Sequence, residues 1–217
     1  MRRLILAQKT VVNDTPSTEL PNMPGIPANP TPDINNRIYY TSSDGNKVTP
    51  YSTTVFGANI VSNTFDSNLD MWVIEFDGDV TQCGSNAFRS RSTIVNIILP
   101  NTVTSIGDRA FYYCSSLGSI NTGDNITSIG ASAFSTCNLT NISLGPNLTS
   151  VGQYAFYGCE ALEKVYCRAT TPPKGAYAMF ESAADTCKIY VPTSSVSAYQ
   201  SASYWSNYSD MITGHEF

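Results

Sequence analysis

Residues 99–120 read LPNTVTSIGDRAFYYCSSLGSI, and residues 145–167 read GPNLTSVGQYAFYGCEALEKVYC. Laid over one another, both run through Pro-Asn, Thr-Ser, a β-branched residue with glycine, Ala-Phe, cysteine, and a leucine followed by Ile or Val. The central pair occurs four times, as Ala87-Phe88, Ala110-Phe111, Ala133-Phe134 and Ala155-Phe156, at intervals of 23, 23 and 22 residues. Upstream of each pair stand an apolar residue and a glycine: Cys83-Gly84, Ile106-Gly107, Ile129-Gly130 and Val151-Gly152. Downstream runs a spaced apolar pattern: Ile94, Ile97 and Leu99; Leu117, Ile120 and Thr122; Leu139, Ile142 and Leu144; Leu162, Val165 and Cys167. The shorter interval has a location, because one residue is missing between Cys137 and Leu139. Degenerate copies flank these, with Phe65, Met71, Ile74 and Phe76 before and Phe180, Ile189 and Val191 after.

A unit this short cannot bury its own apolar face, so successive units must stack strand on strand into a solenoid. The glycines are expected to mark tight turns with positive φ. Cys114, Cys137 and Cys159 fall at one equivalent place and read as free thiols packed as small core residues, not as disulfides or metal ligands. Composition follows from the same frame. Only 13% of the 217 residues are charged, while Ser, Thr and Asn together supply about 31%, well above ordinary usage. Small polar residues suit corners, where side chains bond to backbone groups that leave the sheet.

Charge and composition also exclude functions. A net charge of -5 opposes nucleic acid, whose phosphates need a basic stripe. The single histidine, His215, leaves no material for a Ser-His-Asp triad or a multi-histidine metal site. No cofactor, no metal and no catalytic residue are expected, and no apolar run approaches the length of a membrane span. Arg2 and Arg3 precede only four apolar residues, Leu4 to Ala7, so no secretory signal is read. Asp77-Gly78-Asp79 reads as a turn and not a calcium site, and Glu75 with Asp77 lacks the cleft of a glycosidase pair. The Asn-x-Ser/Thr triplets at Asn125, Asn138, Asn141, Asn147 and Asn207 follow from a repeat rich in Asn and Thr.

Outside the repeats, residues 1–36 form an arm that holds six of the twelve prolines. Pro21, Pro24, Pro27 and Pro30 recur every three residues, the period of a polyproline II rod. The arm reads as a linker or as an anchoring peptide gripping through Leu4, Ile5 and Leu6 to Val12. Residues 37–54 read as a hairpin over the first coil, with strands Arg37 to Thr41 and Lys47 to Ser52 around a turn at 43–46. The repeats occupy 55–192. Residues 193–217 read as a helical cap: Ser194 or Ser195 begins a helix with Val196, Tyr199 and Ala202 on one face, followed by Trp205, Tyr208 and Ile212.

The quoted stretches resemble the BspA-like, or Treponema pallidum type, leucine-rich repeats, and the final segment resembles the closing part of such proteins from gut anaerobes. The resemblance implies an α/β leucine-rich-repeat solenoid, a right-handed superhelix of stacked parallel strands. It implies binding and not catalysis, with a cell-surface or extracellular setting and a protein or glycan partner. A second reading is a head or tail accessory of a bacteriophage virion, held to capsid or tail proteins by the arm; it accounts for the absent signal. Inward strand positions are Ile74, Ile97, Ile120, Ile142, Val165 and Ile189, so their neighbours form two outward columns. Candidate partner-binding residues on those columns are Tyr166, Tyr190, Lys164, Lys188, Ile98 and Asn121.

Overall fold

A computed structural model of the protein describes residues 35–217. The anchoring residues proposed in the arm, from Leu4 through Pro30, lie outside the described residues. Its last two residues are tied to the fold: the carbonyls of Asn35 and Asn36 accept from the N–H groups of Val80 (2.8 Å) and Phe76 (2.9 Å).

The apolar downstream pattern of each repeat forms one strand: β4 (Ile94–Ile98), β6 (Ser119–Asn121), β8 (Asn141–Leu144), β10 (Lys164–Cys167) and β11 (Lys188–Pro192). β4 pairs parallel with β6, and β8, β10 and β11 pair parallel in order. Every predicted inward residue, Ile74, Ile97, Ile120, Ile142, Val165 and Ile189, is buried. A second, narrow parallel sheet joins the residues before each glycine: β5 (Ser105–Ile106), β7 (Ser128–Ile129) and β9 (Ser150–Val151).

The Ala-Phe segment closes the coil without a helix. Asn86, Phe88 and Ser90 donate their N–H groups to Asp108, Ala110 and Tyr112 of the next coil at 2.7–2.9 Å. Phe111, Phe134 and Phe156 repeat this bond to Ala133, Ala155 and Met179. Two columns of left-handed residues carry the pattern: Asn86, Arg109, Ser132, Tyr154 and Ala178, then Ser90, Tyr113, Thr136, Gly158 and Ser182. Left-handed residues break helices, so among the described residues the α-helical part expected of an α/β fold reduces to six, α1 (Val196–Ser201). The backbone bonds to the next coil compensate for that conformation.

The glycines serve a different purpose from the one expected. Gly84, Gly107, Gly130 and Gly152 are absent from the positive-φ residues; they stand where adjacent coils touch. A Cβ on Gly130 would lie 2.5 Å from the Asp108 nitrogen and 2.6 Å from the Gly107 carbonyl carbon, and Gly107 and Gly152 meet the preceding coil in the same way. Inside, the rings of Phe88, Phe111, Phe134, Phe156 and Phe180 stack at 5.1–5.5 Å, each within about 10° of parallel. Phe56 heads this stack, at 5.7 Å from Phe88. Phe65, expected there, lies instead on the edge strand β2 (Ile60–Asp66), is 49% exposed, and meets Trp72 edge-on. All six cysteines are free and buried. The Cys114, Cys137 and Cys159 thiols donate to the carbonyls of Phe88, Phe111 and Phe134 at 3.0–3.1 Å.

The amino end departs from a parallel stack. β1 (Arg37–Ser42) inserts antiparallel between β3 (Met71–Phe76) and β4, and β2 pairs antiparallel with β3, giving a mixed sheet of order β2-β3-β1-β4-β6. The turn at 43–46 forms, with Asn46 N–H donating to Asp44 Oδ1, but 47–52 is not a strand. Both edges of β1 are occupied, so the second arm of the expected hairpin has nothing to pair with. Side chains satisfy it instead: Val48 N–H donates to the Tyr40 hydroxyl and its carbonyl accepts from Asn63 Nδ2, both at 2.9 Å.

At the carboxyl end Ser195 stands at the N-cap position of α1, as expected, but makes no side-chain capping bond, because its hydroxyl donates to the Thr170 carbonyl (2.8 Å). Tyr199 and Trp205 are buried edge-to-face at 5.0 Å, with Trp205 against Phe180. The Tyr199 hydroxyl donates to Ala169 and the Trp205 indole to Pro173 at 2.8 and 2.7 Å. The chain then returns as β12 (Ile212–His215), parallel to β11, so the segment expected to be helical also extends the sheet.

Candidate functional site

The outward columns of the β8-β10-β11-β12 sheet hold four of the six candidate partner-binding residues. Lys164 lies directly opposite Lys188, and Tyr166 opposite Tyr190. The two tyrosine rings stack at 4.9 Å and 16°. His215 approaches both, at 5.7 and 5.6 Å, and Phe217 packs on His215 at 4.8 Å. Four aromatic side chains thus gather beside two lysines. The lysine pair is electrostatically unfavourable by itself. Lys188 Nζ finds the Asp210 carbonyl at 3.2 Å, and neither lysine is in an ion pair among the described residues.

Two candidates fall elsewhere. Ile98 is 4% exposed, because β1 places Tyr39 between Val73 and Ile98 in one row of the mixed sheet. Asn121 pairs with Ile98 in that same sheet, and its side chain accepts from Gly123 N–H at 3.0 Å. Neither joins the aromatic cluster. Conversely, sequence reading missed His215 and Phe217. The signal was present in Ile212-Thr213, β-branched neighbours favouring a strand, but the helical reading of the segment masked it.

The acidic residues near the first coil are committed to the fold. Glu75 pairs with Arg37 at 2.6 Å and accepts from Ser62 at 2.8 Å. Asp77 accepts from the side chain and backbone of Asn59, which hold its carboxyl below the usual range. No group of three or more metal-ligating side chains forms among the described residues, and no described helix is long and apolar enough to cross a membrane. Burial pushes the thiols of Cys114 and Cys159 up to about 12, the opposite of an activated nucleophile.

The sequence pattern described as the BspA type leucine rich repeat region matches in six copies over residues 26–139 and 81–211. It begins within the proline-rich arm and runs past β11. Among solved structures, a leucine-rich repeat protein of T. pallidum is similar at 27% identity and a TM-score of 0.50, over 57% of this chain and 56% of that one. The chain therefore spans just over half the length of that relative. A leucine-rich cell surface protein from Faecalibacterium prausnitzii matches at 26% identity, a TM-score of 0.46 and 64% of this chain against 34% of its own. A leucine-rich repeat protein from Bacteroides ovatus matches at 19% identity and a TM-score of 0.35, over 67% and 54%. No curated protein matches the sequence.

Proposed function

Since the chain belongs to the BspA type leucine-rich repeat family, we propose that it is a non-enzymatic adhesion protein that presents its parallel sheet to a protein or glycan at a cell surface. In this reading the coils wind as a right-handed superhelix, with residues 37–54 over the first coil and 193–217 over the last. The observation that carries the proposal is the cluster of Tyr166, Tyr190, His215 and Phe217 beside Lys164 and Lys188. None of these side chains is needed to fill the core. Tyrosine supplies large contact area at small entropic cost, and adjacent lysines favour a partner that brings an acceptor or negative charge.

The test is a binding screen against immobilised glycans and matrix proteins, followed by the double variant Tyr166→Ala, Tyr190→Ala. The expected result is loss of the partner with an unchanged melting temperature. Retained binding would move recognition off this face.

A further inference from the structure

The turns that close the first coils carry a second set of exposed and half-buried groups. Across the first two coils, the turn face holds Tyr51, Arg89, Arg91, Arg109, Tyr112 and Tyr113. The Arg89 guanidinium lies over the rings of both Tyr51 and Tyr112 at 5.8 Å, and that of Arg91 lies over Tyr51 at 5.5 Å. Arg91 Nε donates to the Thr49 carbonyl. Arg109 opens the turn that Tyr112 closes, since Tyr112 N–H donates to its carbonyl at 3.2 Å. Tyr113 packs edge-on against Tyr112 at 4.6 Å. The described chain has five arginines; Arg37 and Arg168 are in ion pairs, and the remaining three all stand on this face without one.

The fold does not require these residues here. Arg109 and Tyr113 have φ of 54° and 58°, a conformation that costs a side chain about 1–2 kcal/mol. Gly158 fills the place of Tyr113 two coils on, so a glycine serves the architecture there. Asn86, Ser132 and Tyr154 fill the place of Arg109 in other coils, and Ser90 and Thr136 that of Tyr113, so the architecture accepts many side chains there and does not dictate these.

We propose that this arginine and tyrosine cluster is a docking site for an acidic protein segment. Charge complementarity favours it: three unpaired arginines concentrate positive charge in a chain of net charge -5. A guanidinium laid over aromatic rings is held in orientation while its N–H edge remains able to engage a carboxylate in bidentate fashion. The site is separate from the sheet face, so the two readings stand or fall independently.

The test measures fluorescence anisotropy of a fluorescein-labelled octapeptide of alternating glutamate and glycine, with the glutamine peptide and a heparin fragment as comparisons. The full chain should bind the glutamate peptide in a salt-sensitive manner and ignore the glutamine peptide. Arg89→Lys, which keeps the charge and loses the fork, and Arg109→Gln, at an exposed position, should each weaken it on the order of tenfold. Tyr166→Ala with Tyr190→Ala should leave it unchanged. The proposal is overturned if the glutamate peptide does not bind, if either arginine variant binds as well as the parent, or if heparin alone binds. It is equally overturned if the free protein self-associates and Arg109→Gln abolishes that association, since the occupant would then be a second copy.

Discussion

Gly107, Gly130 and Gly152 leave no room for a side chain, because each backs onto the peptide group of the preceding coil. Gly130→Ala should therefore destabilise the protein by about 2–3 kcal/mol through overpacking against backbone that cannot yield. Thr136 is the reverse case: a β-branched residue at φ 60°, where the next coil has Gly158. Thr136→Gly should be neutral or raise stability by up to about 1 kcal/mol, as relief of strain outweighs the flexibility added to the unfolded chain. Urea titration of both variants distinguishes packing glycines from conformational ones. The cysteine column makes stability depend on pH in one direction. Burial raises the Cys114 and Cys159 thiols to about 12 and Cys187 to about 11, whereas an unfolded thiol ionises near 8.5. The neutral thiols' contribution is fully present below about pH 8.5 and is lost as pH rises towards the folded values. Unfolding free energy should be level from pH 6 to 8 and fall from pH 9 upward; a rise in that range would contradict the buried-thiol assignment.

Among the elements, the phenylalanine column was legible because Ala-Phe recurs with a fixed period, and the thiol column followed from it. Its first member was not. Phe65 fits the apolar spacing but lies on an edge strand against Trp72, while Phe56, in an irregular segment, reaches the stack. Phe56→Ala should cost about 3–5 kcal/mol and Phe65→Ala less than about 1 kcal/mol, measured by chemical denaturation. The two misread ends share a cause. Strand propensity in 47–52 is real, but pairing depends on which edges of β1 are free, and that is decided by residues 71–76 and 94–98, far along the chain. Likewise, the amphipathic spacing from Val196 to Ala202 marks a helix correctly, and no local signal says that Ile212–His215 will find β11 as a partner. Ile98 looked like an outward residue for the same reason, since its column is covered only once β1 enters the sheet.

For the whole molecule, the repeat arithmetic was enough to read a stacked fold, its inward residues and the tyrosine and lysine columns of the last strands. The clustering of His215, Phe217 and the turn-face arginines required the coils to be placed in three dimensions. The coil with one residue fewer bears on where the stack accepts a change of length. Its deletion falls at Asn138, between Cys137 and Leu139, and the bonds on either side keep their partners: Thr136 N–H still reaches Tyr157, and Gly152 N–H still reaches Ile129. Coil length is therefore adjustable at this corner and fixed at the glycine contacts. A serine inserted after Asn138 should leave the melting temperature near that of the parent, as surface loops accommodate added residues cheaply. The same serine inserted after Gly130 displaces the Ala-Phe turn from its hydrogen-bonded neighbours and should prevent folding. A single residue of length is thus tolerated at one corner of the coil, while the glycine contacts hold the period of the stack everywhere else.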